Sequence, residues 1–128
     1  MRVFKTRWFV RFARSERIDD ESLSEAIGRA SRGLVDADLG GGLIKQRVAR
    51  RGRGRSGGYR VIVAYRVEAL AVFLYGFAKS ESENIESDEL DDLRLLARDW
   101  LQADAQRIAV ALGGGALQEV RHDDEDGA

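Results

Sequence analysis

The chain has no cysteine and a single histidine, His122, among its 128 residues. The lack of cysteine excludes a disulfide framework and thiolate sites for zinc or iron–sulfur clusters, and it suits a reducing cytoplasm. No run reaches the roughly 18 apolar residues of a membrane span. The start MRVFKTRWFV lacks the long apolar stretch and the cleavage site of a signal peptide. We therefore expect a cytoplasmic globular protein with one core.

Acidic and basic residues are segregated along the chain, although the net charge is only −1. Seven Lys or Arg residues and no acid lie between residues 41 and 60. Fourteen Asp or Glu residues and four Arg residues lie from residue 81 onward. The basic block predicts a strong local potential whose natural partner is a polyanion, the alternative being a solvated surface loop. Residues 122–128 are expected to form an acidic, disordered tail.

The apolar periodicity predicts an α+β fold. Thr6 and Asp19 or Asp20 are the expected caps of two helices that follow a short first strand. After a loop at DADLGGGL the period changes from 3.6 to 2 residues, which indicates a meander of three strands. A helix beginning near Ser87, a short helix capped by Asp104 and a possible last strand at ALQEV complete the order.

We expect these elements to form a small twisted antiparallel sheet, made of the N-terminal strand and the three-strand meander. The N-terminal and C-terminal helices are expected to pack on one side of it. Residues 1–121 are then a single domain.

The stretch ARRGRGRSGGYR, residues 49–60, contains the glycine spacing GxGxxG of a dinucleotide-binding loop. That loop requires a helix N-terminus to hold the pyrophosphate, whereas the next predicted element here is the strand YRVIVAYRV. A linker would need a second domain, for which the chain is too short. The stretch is therefore interpreted as the basic tip of a β-hairpin.

Basic residues flank this tip on the neighbouring strands. Lys45 and Arg47 share one face of their strand, and Arg60 lies just across the loop. Lys79 follows the last strand of the meander and could reach the same edge. The alternative for Lys45 and Arg47 is the exposed face of an edge-like strand, and for Lys79 a solvated lysine at a strand end. Tyr59 could stack on a base or pack on the hairpin. The expected rim of an RNA-binding surface is Arg50, Arg51, Arg53 and Arg55.

Two segments, GLVDADLGGGLIKQRVARRGRGRSGGYRVIVAYR and VFLYGFAKSESENIESDEL, resemble the RelE/HigB-like toxins of bacterial type II toxin–antitoxin modules, in the RelE/ParE superfamily. The resemblance spans roughly residues 1–121 and includes a GALQEV-like C-terminus. It implies an α+β fold and an endoribonuclease that cuts mRNA on the ribosome. It also implies a partner antitoxin, expected to be a helix-turn-helix DNA-binding protein. Carried over by position, the catalytic residues are Lys45, Arg47, Arg60 and Lys79.

The expected mechanism uses neither a metal nor a cofactor. The basic hairpin has no acids to hold a metal, and His122 lies in the acidic tail. The 2′-OH of the RNA attacks the phosphate, Arg47, Arg60 and Lys79 stabilise the phosphorane, and Lys45 acts as base. The family's usual tyrosine, six residues after Lys79, is replaced by Ile85, so Tyr59 or Tyr75 substitutes or the function is missing. A non-catalytic RNA-binding or ribosome-binding module and a ParE-like gyrase toxin are the alternative functions.

Overall fold

The protein is seen in a computed structural model that describes residues 1–50, 54–79 and 85–121, with only the backbone of residues 54–57. The described residues form six strands and four helices. In chain order these are β1 (Arg2–Thr6), α1 (Arg7–Glu16), α2 (Asp20–Ser31), β2 (Ala37–Gly40), β3 (Leu43–Arg50), β4 (Gly54–Arg66), β5 (Leu70–Ala78), α3 (Ser87–Leu101), α4 (Ala105–Gly114) and β6 (Leu117–Glu119).

The strands form one sheet in the order β2-β3-β4-β5-β1-β6. The predicted α+β class and the antiparallel meander β3-β4-β5 are confirmed. The prediction of an all-antiparallel sheet is wrong in one place, because β1 pairs with β5 in parallel. Two parallel strands need a long crossover connection. The two helices between β1 and the meander form part of the connection from β1 to β5.

Side-chain caps begin three of the four helices at the predicted residues. Thr6 accepts a hydrogen bond from the Phe9 backbone N–H, and Asp19 accepts one from that of Ser22. Asp104 does the same for α4. Each cap satisfies one of the N–H groups that a helix start leaves without a partner. Helix α4 runs through Gly113 and ends at Gly114, and the C-cap residue Gly115 takes the left-handed conformation.

Helices pack on both faces of the sheet, so the expectation of helices on one side is wrong. One core contains Phe9 and Ala13 of α1 and Leu23 of α2 against one face. A second core contains Leu93 of α3 and Ile108 of α4 against the other face. The physical reason is visible in β5, whose residues are apolar in both directions and must be covered twice. We call the face under α3 and α4 the α3 face.

A short edge strand was missed in the sequence. The segment DADLGGGL, expected to be a loop, contains β2, which pairs with the start of β3. Gly40, the last residue of β2, and the next two residues, Gly41 and Gly42, have φ angles of 83°, 66° and 82°. These positive angles turn the chain into β3. Glycine and aspartate are depleted in strands, so local propensity concealed this element.

The base of the hairpin between β3 and β4 depends on a close backbone contact. The register shifts between Val48 and Arg50, where Gly58 of β4 lies against the backbone of β3. A Cβ on Gly58 would lie 2.2 Å from the Val48 carbonyl oxygen and 2.7 Å from the Arg50 nitrogen. Only glycine allows this approach. The contact fixes β4 against β3 immediately before Arg60.

Candidate functional site

Four basic residues occupy one end of the α3 face. Along β3, Leu43 belongs to the core of that face, and Lys45 and Arg47 follow it at the two-residue period of a strand. On β4, Arg60 precedes Ile62 of the same core by two residues. Lys79 follows Phe77 in the same way at the end of β5. The pleat therefore directs the side chains of Lys45, Arg47 and Arg60 to the same side of the sheet, and Lys79, one residue after β5, follows the same two-residue period.

Arg47 and Arg60 are direct partners across β3 and β4. The backbone N–H and C=O of Arg47 are bonded on the opposite side of β3, to Asp36 and Arg29. Arg47 and Arg60 thus form a non-hydrogen-bonded pair, in which Cα atoms lie about 4.5 Å apart and side chains are closest. Two like charges face each other at the shortest spacing that a sheet offers.

Arg60 differs from the other basic residues in its burial. It is 9% exposed, whereas Arg47 is exposed and Lys45 is half-buried. Burial lowers the pKa of the Arg60 guanidinium, the charge of Arg47 lowers it further, and Asp36 acts in the opposite direction. An anion between the two guanidinium groups would relieve both their mutual repulsion and the lost solvation. An arrangement of this kind can bind an anion.

Lys45 and Lys79 extend the cluster in two directions. Lys45 is two residues from Arg47, or roughly 6.6 Å along the strand. The Lys79 backbone N–H donates to the Gly58 carbonyl oxygen at 3.1 Å, so Lys79 lies diagonally across from Arg60. Such diagonal neighbours are about 7–8 Å apart. The cluster therefore spans three adjacent strands, with Arg60 at its centre.

Tyr75 lies at the border of the cluster. It is the β4-β5 partner of Ile62, which is itself the β3-β4 partner of Lys45. Two strand spacings place the Cα atoms of Tyr75 and Lys45 about 9.5 Å apart. Burial raises the pKa of the Tyr75 phenol, and the charge of Glu89 and a hydrogen bond to it raise it further. Tyr75 is thus held as a neutral hydroxyl next to the basic residues.

An exposed tryptophan borders Tyr75. Trp8, in the first turn of α1, stacks on Tyr75 with ring centroids 4.7 Å apart and an interplanar angle of 29°. Trp8 is 41% exposed. The sequence placed Trp8 on the apolar stripe of α1, and its contact with Tyr75 could not be read there because the two residues are distant in the chain.

The site also contains two residues that the sequence reasoning missed. Asp36 Oδ2 accepts from the Arg47 backbone N–H at 2.6 Å, and Arg29 donates to the Arg47 carbonyl oxygen. Arg29 is 5% exposed, although it lies in a helix where an arginine is ordinarily solvated. Its position four residues after Glu25, with which it pairs at 2.8 Å, gave no signal beyond an ordinary helical ion pair.

Tyr59 and Arg50 are directed away from the cluster. Tyr59 lies in the core of the other face, 3% exposed, with its ring edge-on to that of Phe12. Burial leaves it no free ring face, which corrects its assignment as a base-stacking residue and favours packing on the hairpin. The Arg50 guanidinium lies 5.7 Å from the Tyr59 ring centroid, so a rim role at the cluster is not supported.

Several other predicted residues cannot be placed. Arg51, Arg53 and His122 lie outside the described residues, as does the side chain of Arg55. Ile85, at the family's tyrosine position, packs against the core of the α3 face.

Within the described ranges no group of three or more His, Cys, Asp or Glu residues is arranged to hold a metal ion. No described helix is long and apolar enough to cross a membrane.

Comparison with known protein families identifies this architecture. The model of the family described as the RelE toxin of the RelE / RelB toxin–antitoxin system matches residues 1–120. Neither the curated proteins nor the solved structures gave a match. The family match covers all of the described sheet and helices and the whole basic cluster. The chain therefore belongs to the RelE toxin family and is the toxin of a toxin–antitoxin system, with a cognate antitoxin as its partner.

Proposed function

We propose that this toxin is an endoribonuclease that cuts mRNA, with the basic cluster of Lys45, Arg47, Arg60 and Lys79 as its active site. The observation that carries the proposal is the direct opposition of the exposed Arg47 and the buried Arg60 across β3 and β4. Like charges directly opposite each other destabilise a sheet. A phosphate bound between the two guanidinium groups would offset this repulsion.

The reaction begins with attack of the RNA 2′-OH on the adjacent phosphorus. The bond from phosphorus to the 5′-oxygen then breaks, leaving a 2′,3′-cyclic phosphate and a 5′-hydroxyl. The phosphorane between these states carries additional negative charge. Arg47, Arg60 and Lys79 stabilise that charge, and the buried Arg60 contributes most because its field is least screened by water.

Two protons move in this reaction. One leaves the 2′-OH, and another must reach the 5′-oxygen as it departs. Lys45 is the proposed base, and its place two residues before Arg47 on the same face of β3 supports that role. Tyr75 is the proposed substitute for the tyrosine that the family carries at Ile85. Its place on the α3 face at the border of the cluster supports that role. Tyr59 is buried on the other face and is therefore excluded.

The site has few groups for acid–base catalysis, which favours a substrate held in the reactive conformation by something else. We infer that the ribosome supplies that orientation, worth up to about 7–11 kcal/mol in well-oriented reactions. The reaction is proposed to proceed without metal or cofactor in the cytoplasm. The cognate antitoxin is proposed to be a helix-turn-helix protein.

Controlled expression with and without the antitoxin tests the proposal. We expect growth arrest and new 5′-hydroxyl ends within translated mRNAs, both suppressed by the antitoxin and absent for Arg60→Ala. Arg11→Ala is the matched control, because Arg11 is exposed on α1, on the other side of the sheet. Growth arrest without RNA ends would reject the nuclease. Arrest with DNA damage signals would indicate gyrase as the target.

A further inference from the structure

Among the described residues, no strand pairs with the outer edge of β3 where Arg47 lies. Strand β2 pairs with Leu43, Ile44 and Lys45 and reaches no further, because its first residue, Ala37, is the partner of Lys45. The backbone N–H and C=O of Arg47 point to this open edge. An unpaired edge ordinarily frays or pairs with another chain. Side chains complete the ladder here in place of a strand.

Asp36 and Arg29 are these side chains. Asp36 Oδ2 accepts from the Arg47 backbone N–H at 2.6 Å, and the Arg29 guanidinium donates to the Arg47 carbonyl oxygen. Arg29 also donates to Asp36 Oδ2 at 3.4 Å. The three residues therefore form a closed ring of charge-assisted hydrogen bonds around the Arg47 peptide groups. Such bonds are shorter and stronger than neutral ones.

The buried side chain of Gln46 anchors this ring of hydrogen bonds through the backbone of Asp36. The backbone N–H of Asp36 donates to Gln46 Oε1 at 2.7 Å, and Gln46 is fully buried. The Gln46 amide donates in turn to the carbonyl oxygens of Ala26 and Leu34, at 2.9 and 3.2 Å. Asp36 is therefore fixed through its backbone, and its carboxylate, whose side chain is 24% exposed, can orient Arg47.

We propose that Asp36 is a positioning residue of the active site, which together with Arg29 fixes the backbone of Arg47 and thereby the distance of its guanidinium from that of Arg60. This inference rests on the proposed function, since it assigns Arg47 to the phosphate. Asp36 does not touch the RNA and acts through Arg47. Without it, the repulsion between Arg47 and Arg60 would be relieved by movement of β3 at its open edge.

Binding and turnover are expected to respond differently to loss of Asp36. Its carboxylate is an anion beside a site for anions, so its removal raises the local positive potential and strengthens the attraction of RNA. The same change lets Arg47 move away from the transition state. A misplacement of about 1 Å can cost roughly 10²-fold in rate. A residue needed only for folding would weaken both properties together.

The test compares Asp36→Ala with Asp36→Asn and with Asp38→Ala as a matched control. Asp38→Ala removes the same charge two residues away, where the carboxylate accepts from the Gly40 N–H instead of that of Arg47. Asp36→Asn keeps an acceptor for Arg47 while losing the charge. Cleavage of an end-labelled mRNA on programmed ribosomes gives the single-turnover rate. An RNA blocked by a 2′-O-methyl group gives the dissociation constant, and urea unfolding gives stability.

We expect Asp36→Ala to lower the cleavage rate by about 10- to 100-fold while RNA binding stays equal or tightens. Asp36→Asn should recover most of the rate, and Asp38→Ala should match the wild type. Equal rates for Asp36→Ala and Asp38→Ala would overturn the proposal. Parallel losses of rate, binding and stability in Asp36→Ala would also overturn it, in favour of a purely structural role.

Amide exchange separates this proposal from the proposed nuclease function. If the wild type cuts no RNA, the nuclease is rejected, and the exchange rate of the Arg47 amide still decides whether Asp36 fixes this backbone. Faster exchange in Asp36→Ala than in Asp38→Ala supports the positioning of Arg47. Equal exchange in the two variants overturns it.

Discussion

Arg47 and Arg60 are cross-strand partners whose side chains face each other at the narrow spacing of a non-hydrogen-bonded pair. Like charges at this spacing repel each other, and a polyanion bound between them would relieve that repulsion. We predict that the repulsion between the two guanidinium groups is relieved when the RNA phosphate, and above all the phosphorane, lies between them.

Removing one charge of the pair should stabilise the fold. We expect Arg47→Gln to raise the free energy of unfolding by about 0.2–1 kcal/mol, since like charges directly opposite each other destabilise a sheet by that amount. Urea denaturation at low salt measures the gain, which should shrink as salt screens the pair. The same variant should lose cleavage activity. A variant that is both less stable and inactive would show that Arg47 serves the fold.

The salt dependence of RNA binding should report the phosphate contacts. For single-stranded nucleic acid, each neutralised phosphate contributes about −0.7 to the slope of log K against log salt. We expect Arg47→Ala and Arg60→Ala each to reduce the slope by about this amount. Arg11→Ala is the control for total charge and should leave the slope unchanged. Fluorescence anisotropy with a labelled RNA gives the values, and equal slopes for all variants would place the RNA elsewhere.

Tyr75 should titrate later than an ordinary tyrosine, because burial and Glu89 raise its pKa. The raised pKa stabilises the fold below about pH 10, the unfolded value, and that stability is lost as pH rises through the folded pKa. Absorbance titration of the wild type minus that of Tyr75→Phe isolates this phenol. Glu89→Gln should move its midpoint down towards pH 10. An unchanged midpoint would show that the Tyr75–Glu89 contact is absent in solution.

Gly58 should tolerate no side chain. Its Cβ would lie 2.2 Å from the Val48 carbonyl oxygen, a backbone atom that cannot rotate away. We expect Gly58→Ala to lower the free energy of unfolding by about 1–3 kcal/mol, the usual cost of forcing atoms into a packed region. Gly113→Ala is the control, because a Cβ there meets nothing within 4 Å inside a helix. It should raise stability by about 0.5–1 kcal/mol. Thermal unfolding of both variants checks the contrast.

The sequence predicted those features that depend on local chemistry. Thr6, Asp19 and Asp104 are caps that bond within three residues, so their pattern is readable directly. The face of Lys45 and Arg47 follows from strand alternation, and that of Arg60 from the hairpin. Lys79 required only that the meander be antiparallel. Their roles in catalysis stay predictions, which the measurements described here test.

Features that depend on distant contacts were missed or wrong. Asp36 and Arg29 meet Arg47 only because β2 stops short of it, and β2 itself was hidden in a glycine-rich stretch. In the sequence Tyr59 was a candidate for stacking on a base. Alternation along β4 directs it to the other face of the sheet from Arg60, into the core under α1. Strand alternation gives two faces. Only the packing of the helices decides which of the two faces is covered at the end of the sheet where Arg60 and Tyr59 lie.

The most direct measurement is single-turnover cleavage of an mRNA on programmed ribosomes by the wild type and by Arg60→Ala, on RNA with either a ribose or a 2′-deoxyribose at the cut position. We predict that the wild type cuts only the ribose substrate and leaves a 5′-hydroxyl end, and that Arg60→Ala binds the complex without cutting it. Cleavage of the 2′-deoxyribose substrate, or equal cleavage by wild type and Arg60→Ala, would contradict the account.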